Sequence, residues 1–118
     1  MDHDLEHLAA RVRDFADRRD WGQFHSPRNL VLALVGEVGE LAAEVQWLTD
    51  DEVVAALTKA ESRSRIEDEL ADVLIYLTRL ADQCDIDLVA AAHAKVNRNE
   101  ERYPESKAKG VATKYTDI

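Results

Sequence analysis

Glycine, proline and cysteine are scarce in this chain, and each scarcity excludes something. Four glycines and two prolines punctuate it. No stretch alternates convincingly at period two, so the reading is all-helical. The lone cysteine, Cys84, rules out an internal disulfide and fits a reducing cytosol. No uncharged apolar run approaches the ~18 residues of a membrane span. The opening Met-Asp-His-Asp-Leu-Glu lacks a basic region followed by an apolar run, so no signal peptide is expected. A basic excess is missing too. The formal net charge of −9 argues against a general nucleic-acid binder. It leaves a nucleotide substrate open, because a divalent cation can bridge carboxylates and phosphates. The expectation is a cytoplasmic protein with neither a membrane nor a nucleic-acid partner.

What is present is apolar and helical. Hydrophobic residues make up 46% of 118 positions, enough for one folded domain rather than a disordered chain. A first helix is expected over Asp4 to Arg19, with Leu5, Leu8, Val12 and Phe15 as its stripe. Trp21 to His25 breaks the pattern. Ser26 then reads as an N-cap with Pro27 at the first helical position. The second helix is expected to run to about Leu48, with Leu30, Leu34, Leu41, Val45 and Leu48 on one face. Gly36 and Gly39 inside it predict a close neighbour, since glycine there costs about 1 kcal/mol relative to alanine. A short helix over Asp51 to Ala60 follows, capped by Thr49 or Asp50. The next runs from Ser62 to Gln83 with Ile66, Leu70, Val73, Leu77 and Leu80 as its face. A fifth helix, capped by Asp85 or Asp87, ends before Pro104. This predicts an all-α domain over residues 1–104 with a four-helix-bundle-type core. A polar tail, 105–118, follows.

Two pairs of acids interrupt the two most apolar stretches at i, i+3 spacing. They are Glu37 with Glu40, and Glu69 with Asp72. At about 100° per residue, Glu37, Glu40 and Glu44 fall within roughly a 60° arc that borders the Leu30 stripe. Glu69, Asp72 and Tyr76 border the apolar face of their helix in the same way. Antiparallel packing of the two stripes lets the acidic edges face each other. Close like charges repel and raise one another's pKa, and a shared cation relieves them. Oxygen ligands without His or Cys suit Mg²⁺ or Mn²⁺ rather than Zn²⁺. Spacing alone leaves a solvated acidic face equally open.

The other conspicuous residues have ordinary readings. Cys84 reads as a core or semi-buried thiol. Trp21, Phe24 and Trp47 read as core or subunit-interface aromatics. His25 reads as a loop residue. The basic residues from Lys95 to Lys114 read as solvated charges, although phosphates need such partners.

Four stretches, taken together and in order, resemble one family. They are Arg19-Asp20-Trp21-Gly22-Gln23-Phe24-His25-Ser26-Pro27-Arg28-Asn29-Leu30; Gly36-Glu37-Val38-Gly39-Glu40-Leu41 through Gln46-Trp47; Glu69-Leu70-Ala71-Asp72-Val73-Leu74-Ile75-Tyr76-Leu77; and Lys95 through Asn99 to Arg102-Tyr103-Pro104, then Lys114-Tyr115. The chain resembles the all-α MazG-like nucleoside triphosphate pyrophosphohydrolases, most of all their dCTP pyrophosphatase branch. The resemblance implies Mg²⁺-dependent hydrolysis of a nucleoside triphosphate to the monophosphate and pyrophosphate. It places the metal ligands and catalytic acids on Glu37, Glu40, Glu69 and Asp72. It places the substrate on Trp21, Gly22, Gln23, Phe24, His25, Trp47 and Tyr76, with Lys95 and Asn99 for phosphates and Arg102, Tyr103 and Lys114 as further candidates. It implies a homodimer or homotetramer, in which residues near Lys114 of one subunit complete a neighbour's site. Either Glu40 or Glu44 remains open as the base that activates water. One position departs from the pattern: Val12 stands where relatives of the dCTP type carry histidine. The base therefore stays open between cytosine and another pyrimidine or non-canonical base such as that of dUTP or an oxidised triphosphate. A nucleotide-binding module without hydrolysis and a purely structural helical dimer are the competing readings.

Overall fold

A computed structural model describes residues 4–118. Among these residues every regular element is helical. The helices are α1 (Leu5–Asp17), α2 (Pro27–Val45), α3 (Asp50–Ala56), α4 (Ala60–Gln83), α5 (Leu88–Arg102) and α6 (Glu105–Ala108). Single turns of 3₁₀ helix occupy Trp21–Phe24 and Tyr115–Asp117. The described residues form two compact units, one ending at Asp85 and one over Ile86–Ile118.

The helix starts follow from local chemistry. Asp4 accepts from the His7 amide at 2.7 Å and Ser26 from the Asn29 amide at 3.1 Å. Thr49 and Glu52 form a reciprocal capping box at 3.2 and 3.0 Å, which selects Thr49 over Asp50. Asp87, not Asp85, caps α5, accepting from the Ala90 amide at 3.0 Å. Asp85 instead sits in the left-handed region with φ 56°, ending α4 as an αL cap. Asp20 is also left-handed, with φ 53°, where it leads into the Trp21–Phe24 turn. Short polar side chains tolerate this conformation better than most. α4 begins two residues earlier than expected. The Ser62 hydroxyl donates to the Ala56 carbonyl at 2.5 Å and so fastens the α3–α4 corner instead of capping the helix.

In the first unit α2 packs chiefly on α4, and α1 packs on α4 as well. Leu30 is the anchor of that seam, with only 1% of its surface exposed. Ile66 of α4 and Ala16 of α1 are also buried. Arg13 ties α1 to α4 through a two-pronged pair with Asp82, at 2.9 and 2.6 Å. In the second unit Tyr103 and Tyr115 meet edge to face at 5.9 Å, and the Arg102 guanidinium lies 4.8 Å from the Tyr115 ring centre. These contacts give the tail local order beyond a plain polar extension.

Two expectations are corrected. Leu70, expected on the apolar face of α4, is 52% exposed. Cys84 is exposed at the end of α4 rather than packed in a core. Among the described residues, Gly36 and Gly39 have no atom within 4 Å of a built Cβ beyond the neighbouring turns of their own helix. They lie on the outer face of α2, where Val31, Leu32, Val35 and Val38 are exposed as well.

Truncating the anchor should be expensive. Leu30→Ala is expected to lower unfolding stability by about 2–5 kcal/mol, the range for emptying a fully buried leucine site. Urea denaturation followed by circular dichroism measures this directly.

Candidate acidic site between two helices

The seam that buries Leu30 also gathers the acids. Glu37 and Glu40 project from α2 and Glu69 from α4, and one carboxylate oxygen from each lies within 4.8 Å of the others. Helical spacing explains the pairing on α2, because residues three apart share a face. Glu37 and Glu69 are half-buried. Among the described residues, Glu37 Oε2 and Glu69 Oε2 are shut from water and have no hydrogen-bond partner. Orphaned buried oxygens are costly.

The electrostatics record that cost. Desolvation, then the charges of Glu40 and Asp72, pushes the Glu37 carboxyl above the usual glutamate range. Desolvation does the same for Glu69, aided by the charge and hydrogen bond of Glu40 and by the charges of Asp72 and Glu37. Asp72 is half-buried and outside the tight triad, yet close enough for its charge to act on both glutamates. The donor set is all carboxylate oxygen. A hard divalent cation is the group that such oxygens accept, and it would satisfy both orphaned atoms. Glu44 is engaged elsewhere: the Arg65 guanidinium sits 3.4 Å from its carboxylate.

The aromatic segment forms a second cluster in the same unit. Trp21 meets Phe15 edge to face at 5.7 Å and His25 at 6.3 Å. The Arg19 guanidinium covers the other partner, 3.6 Å from the Phe15 ring centre. Gln23 turns back to the Asp20 carbonyl and carboxylate, at 3.0 and 3.1 Å, and so braces the turn that contains Gly22. Trp21 and Phe24 keep exposed faces, and Trp47 is 86% exposed. None of the three is a core residue within this chain. Tyr76 is half-buried on α4.

Lys95 and Asn99 lie on α5 in the second unit. They sit four residues apart and share a helix face with Arg102. Lys95 is exposed and Asn99 half-buried.

Sequence reasoning missed a polar network behind the aromatic cluster. Arg79 is only 4% exposed. Its Nε donates to His25 Nδ1 at 3.1 Å, and its Nη1 reaches Asp82 at 3.5 Å. Gln83 donates to the His25 carbonyl at 3.0 Å. A signal existed: Asp72, Tyr76 and Arg79 recur at i, i+4, i+7, which is one face of a helix.

Fold and site together define an all-helical protein with an acidic, cation-compatible cradle between two packed helices. The MazG-like family model matches residues 34–118. The chain is 48% identical over 114 residues to dCTP pyrophosphatase 1 of Rattus norvegicus, covering 97% of this chain and 67% of that protein. For the Homo sapiens protein of the same name the identity is 47% over 114 residues, covering 97% and 67%. The solved structure of a pyrophosphatase from Archaeoglobus fulgidus superimposes with a TM-score of 0.80 at 37% identity, covering 88% of this chain and 95% of that one. The chain belongs to the MazG-like family.

The cradle yields a stability test. A carboxyl that holds its proton more tightly folded than unfolded stabilises the fold below its unfolded pKa, and loses that contribution as pH rises through its folded pKa. In chelator, Glu37→Gln should therefore melt above wild type, and the gap should widen as pH rises from the ordinary glutamate value of 4.5 towards neutrality. The shifts at His25 and Asp82 are common to both proteins and cancel in the difference. A divalent cation should raise the melting temperature of wild type and not of the variant. Calorimetry with and without chelator reads both effects.

Proposed function

We propose that this protein hydrolyses nucleoside triphosphates to the monophosphate and pyrophosphate in a Mg²⁺-dependent reaction, with dCTP or a modified dCTP as the preferred substrate. The observation that carries this reading is the convergence of Glu37, Glu40 and Glu69 around orphaned carboxylate oxygens. The similarity to proteins named dCTP pyrophosphatase supports the choice of base. Glu37, Glu40, Glu69 and Asp72 would hold Mg²⁺, with Mn²⁺ as a substitute. Bound there, the ion would neutralise triphosphate charge at the reacting centre.

The chain's own residues supply the rest. A water attacks the α-phosphorus and pyrophosphate leaves, so the protein's task is positioning and charge stabilisation. Glu40 or Glu44 orients the water, and the pairing of Glu44 with Arg65 favours Glu40. On α4, Glu69, Asp72, Tyr76 and Arg79 follow one helix face, and Asp72 and Arg79 stand about 10 Å apart along the axis. Acids thus occupy one end of that face and the base-binding side chains the other. Trp21 to His25, Trp47 and Tyr76 receive the base, and Lys95 and Asn99 serve the phosphates. Residues 1–104 act as the hydrolytic domain with 105–118 as its tail. The compartment is the cytoplasm, where an exposed thiol such as Cys84 stays reduced.

The working unit is a homodimer or a homotetramer. Val35 is 64% exposed on an apolar face of α2 shared with Val31, Leu32 and Val38, and Leu70 and Leu74 of α4 are exposed too. Gly36 and Gly39 leave room on α2 for a close helix. A second copy covers this surface more naturally than water does.

Two measurements test the proposal. A panel of triphosphates ranked by kcat/KM should put dCTP or a 5-modified dCTP first. Glu37→Gln, Glu40→Gln and Asp72→Asn should each lose at least about 100-fold in kcat with helicity intact. Turnover that survives all three would refute the metal assignment. In sedimentation velocity, Val35→Glu should convert the oligomer to monomer; an unchanged species would move the interface elsewhere.

A further inference from the structure

The Arg79–His25 contact says which protons His25 carries. A guanidinium has donors and no acceptor. For Arg79 Nε to donate to His25 Nδ1 at 3.1 Å, Nδ1 must present its lone pair. The ring is then neutral and its proton sits on Nε2. Burial first, and the Arg79 charge second, hold His25 below the usual histidine range, which keeps it neutral at physiological pH.

Nothing about Arg79 is loose. It is 4% exposed and also reaches Asp82, which Arg13 grips from α1 at 2.9 and 2.6 Å. The Arg13 guanidinium holds the Asp82 carboxyl below the usual aspartate range, so the anion that steadies Arg79 persists at working pH. The His25 backbone is fixed separately by Gln83, and the Trp21 ring lies against the imidazole. The surroundings therefore set the ring's position and its tautomer together.

We propose that Arg79 is a positioning residue for substrate recognition: it locks His25 as the Nε2–H tautomer, so that Nε2–H is presented as a donor to a hydrogen-bond acceptor on the edge of the substrate's base. The acceptor is a ring carbonyl or an unprotonated ring nitrogen, the pair that a cytosine edge offers. This rests on the proposed placement of the base at Trp21 to His25.

Nitrogen-15 NMR of the intact protein reads the tautomer without any mutation. His25 is one of four histidines and is assigned by its loss in His25→Gln. In free wild type at neutral pH, Nδ1 should be unprotonated and Nε2 protonated. A Nδ1–H ring or an imidazolium would overturn the proposal. Arg79→Met should release the lock, giving a tautomer mixture and a KM about tenfold higher, the equivalent of one hydrogen bond, with kcat changed less than about twofold. Arg79→Lys, which keeps a cationic donor, should regain most of the affinity. A variant Arg79→Met that keeps both the tautomer and the KM would also overturn it. Deoxycytidine monophosphate, added to wild type, should shift the Nε2 resonance. If the tautomer depends on Arg79 but the nucleotide leaves Nε2 unmoved, the placement of the base is refuted, and the substrate-facing half of this proposal falls with it.

Discussion

Repulsion between carboxylates inside the α2–α4 seam is the constraint on which the rest of this structure turns. The same interface must bury Leu30 and accommodate Glu37, Glu40 and Glu69. Burying acids next to acids is unfavourable on two counts, desolvation and like charge. Both appear at Glu37 and Glu69, whose carboxyls resist ionisation and whose buried oxygens lack partners among the described residues. A sequence under selection for stability alone has a simple remedy in leucine or glutamine at these positions. Unrelieved cost concentrated at one spot is the physical mark of a functional site.

The seam also explains why so little of the first unit is fully buried. Each of the two central helices carries acids along one border of its apolar stripe, so the stripes can cover only part of each other. α2 then turns a second apolar face, around Val35, away from its own chain. At Gly36 and Gly39, no described residue outside the neighbouring turns of α2 comes within 4 Å of a built Cβ. Apolar patterning on two sides of one helix leaves one of those sides uncovered by the described residues.

Much of this was legible in the sequence, and the misses share a cause. The caps at Ser26, Thr49 and Asp87 follow from neighbours three residues away. So does the acid pairing on α2. Leu70 and Cys84 went astray because they depend on what lies across the helix, and periodicity reports a face without naming its partner. Arg79 was overlooked for a related reason. An arginine inside an apolar stretch reads as a surface charge until Asp82 and His25, three residues along the helix and fifty-four back along the chain, are seen to meet it.

The two charged clusters on α4 are solved in opposite ways, and the contrast sharpens the reading of both. Arg79 is buried, yet its charge is answered from within: Asp82 lies beside it, Arg13 restrains Asp82, and His25 accepts from its Nε. A buried ion held by partners on more than one side is fixed in place and can fix others. At the acid end of the same helix face, Glu37 Oε2 and Glu69 Oε2 lack partners among the described residues. Arg65 pairs with Glu44 and Glu61 instead. One end of the face is therefore finished by the fold and is suited to hold a side chain still. The other is left unfinished by the fold and is suited to take up a charge from outside. A rigid recognition element and an incomplete electrostatic cradle on one helix are what an enzyme needs if it is to orient an anionic substrate before its charge is neutralised.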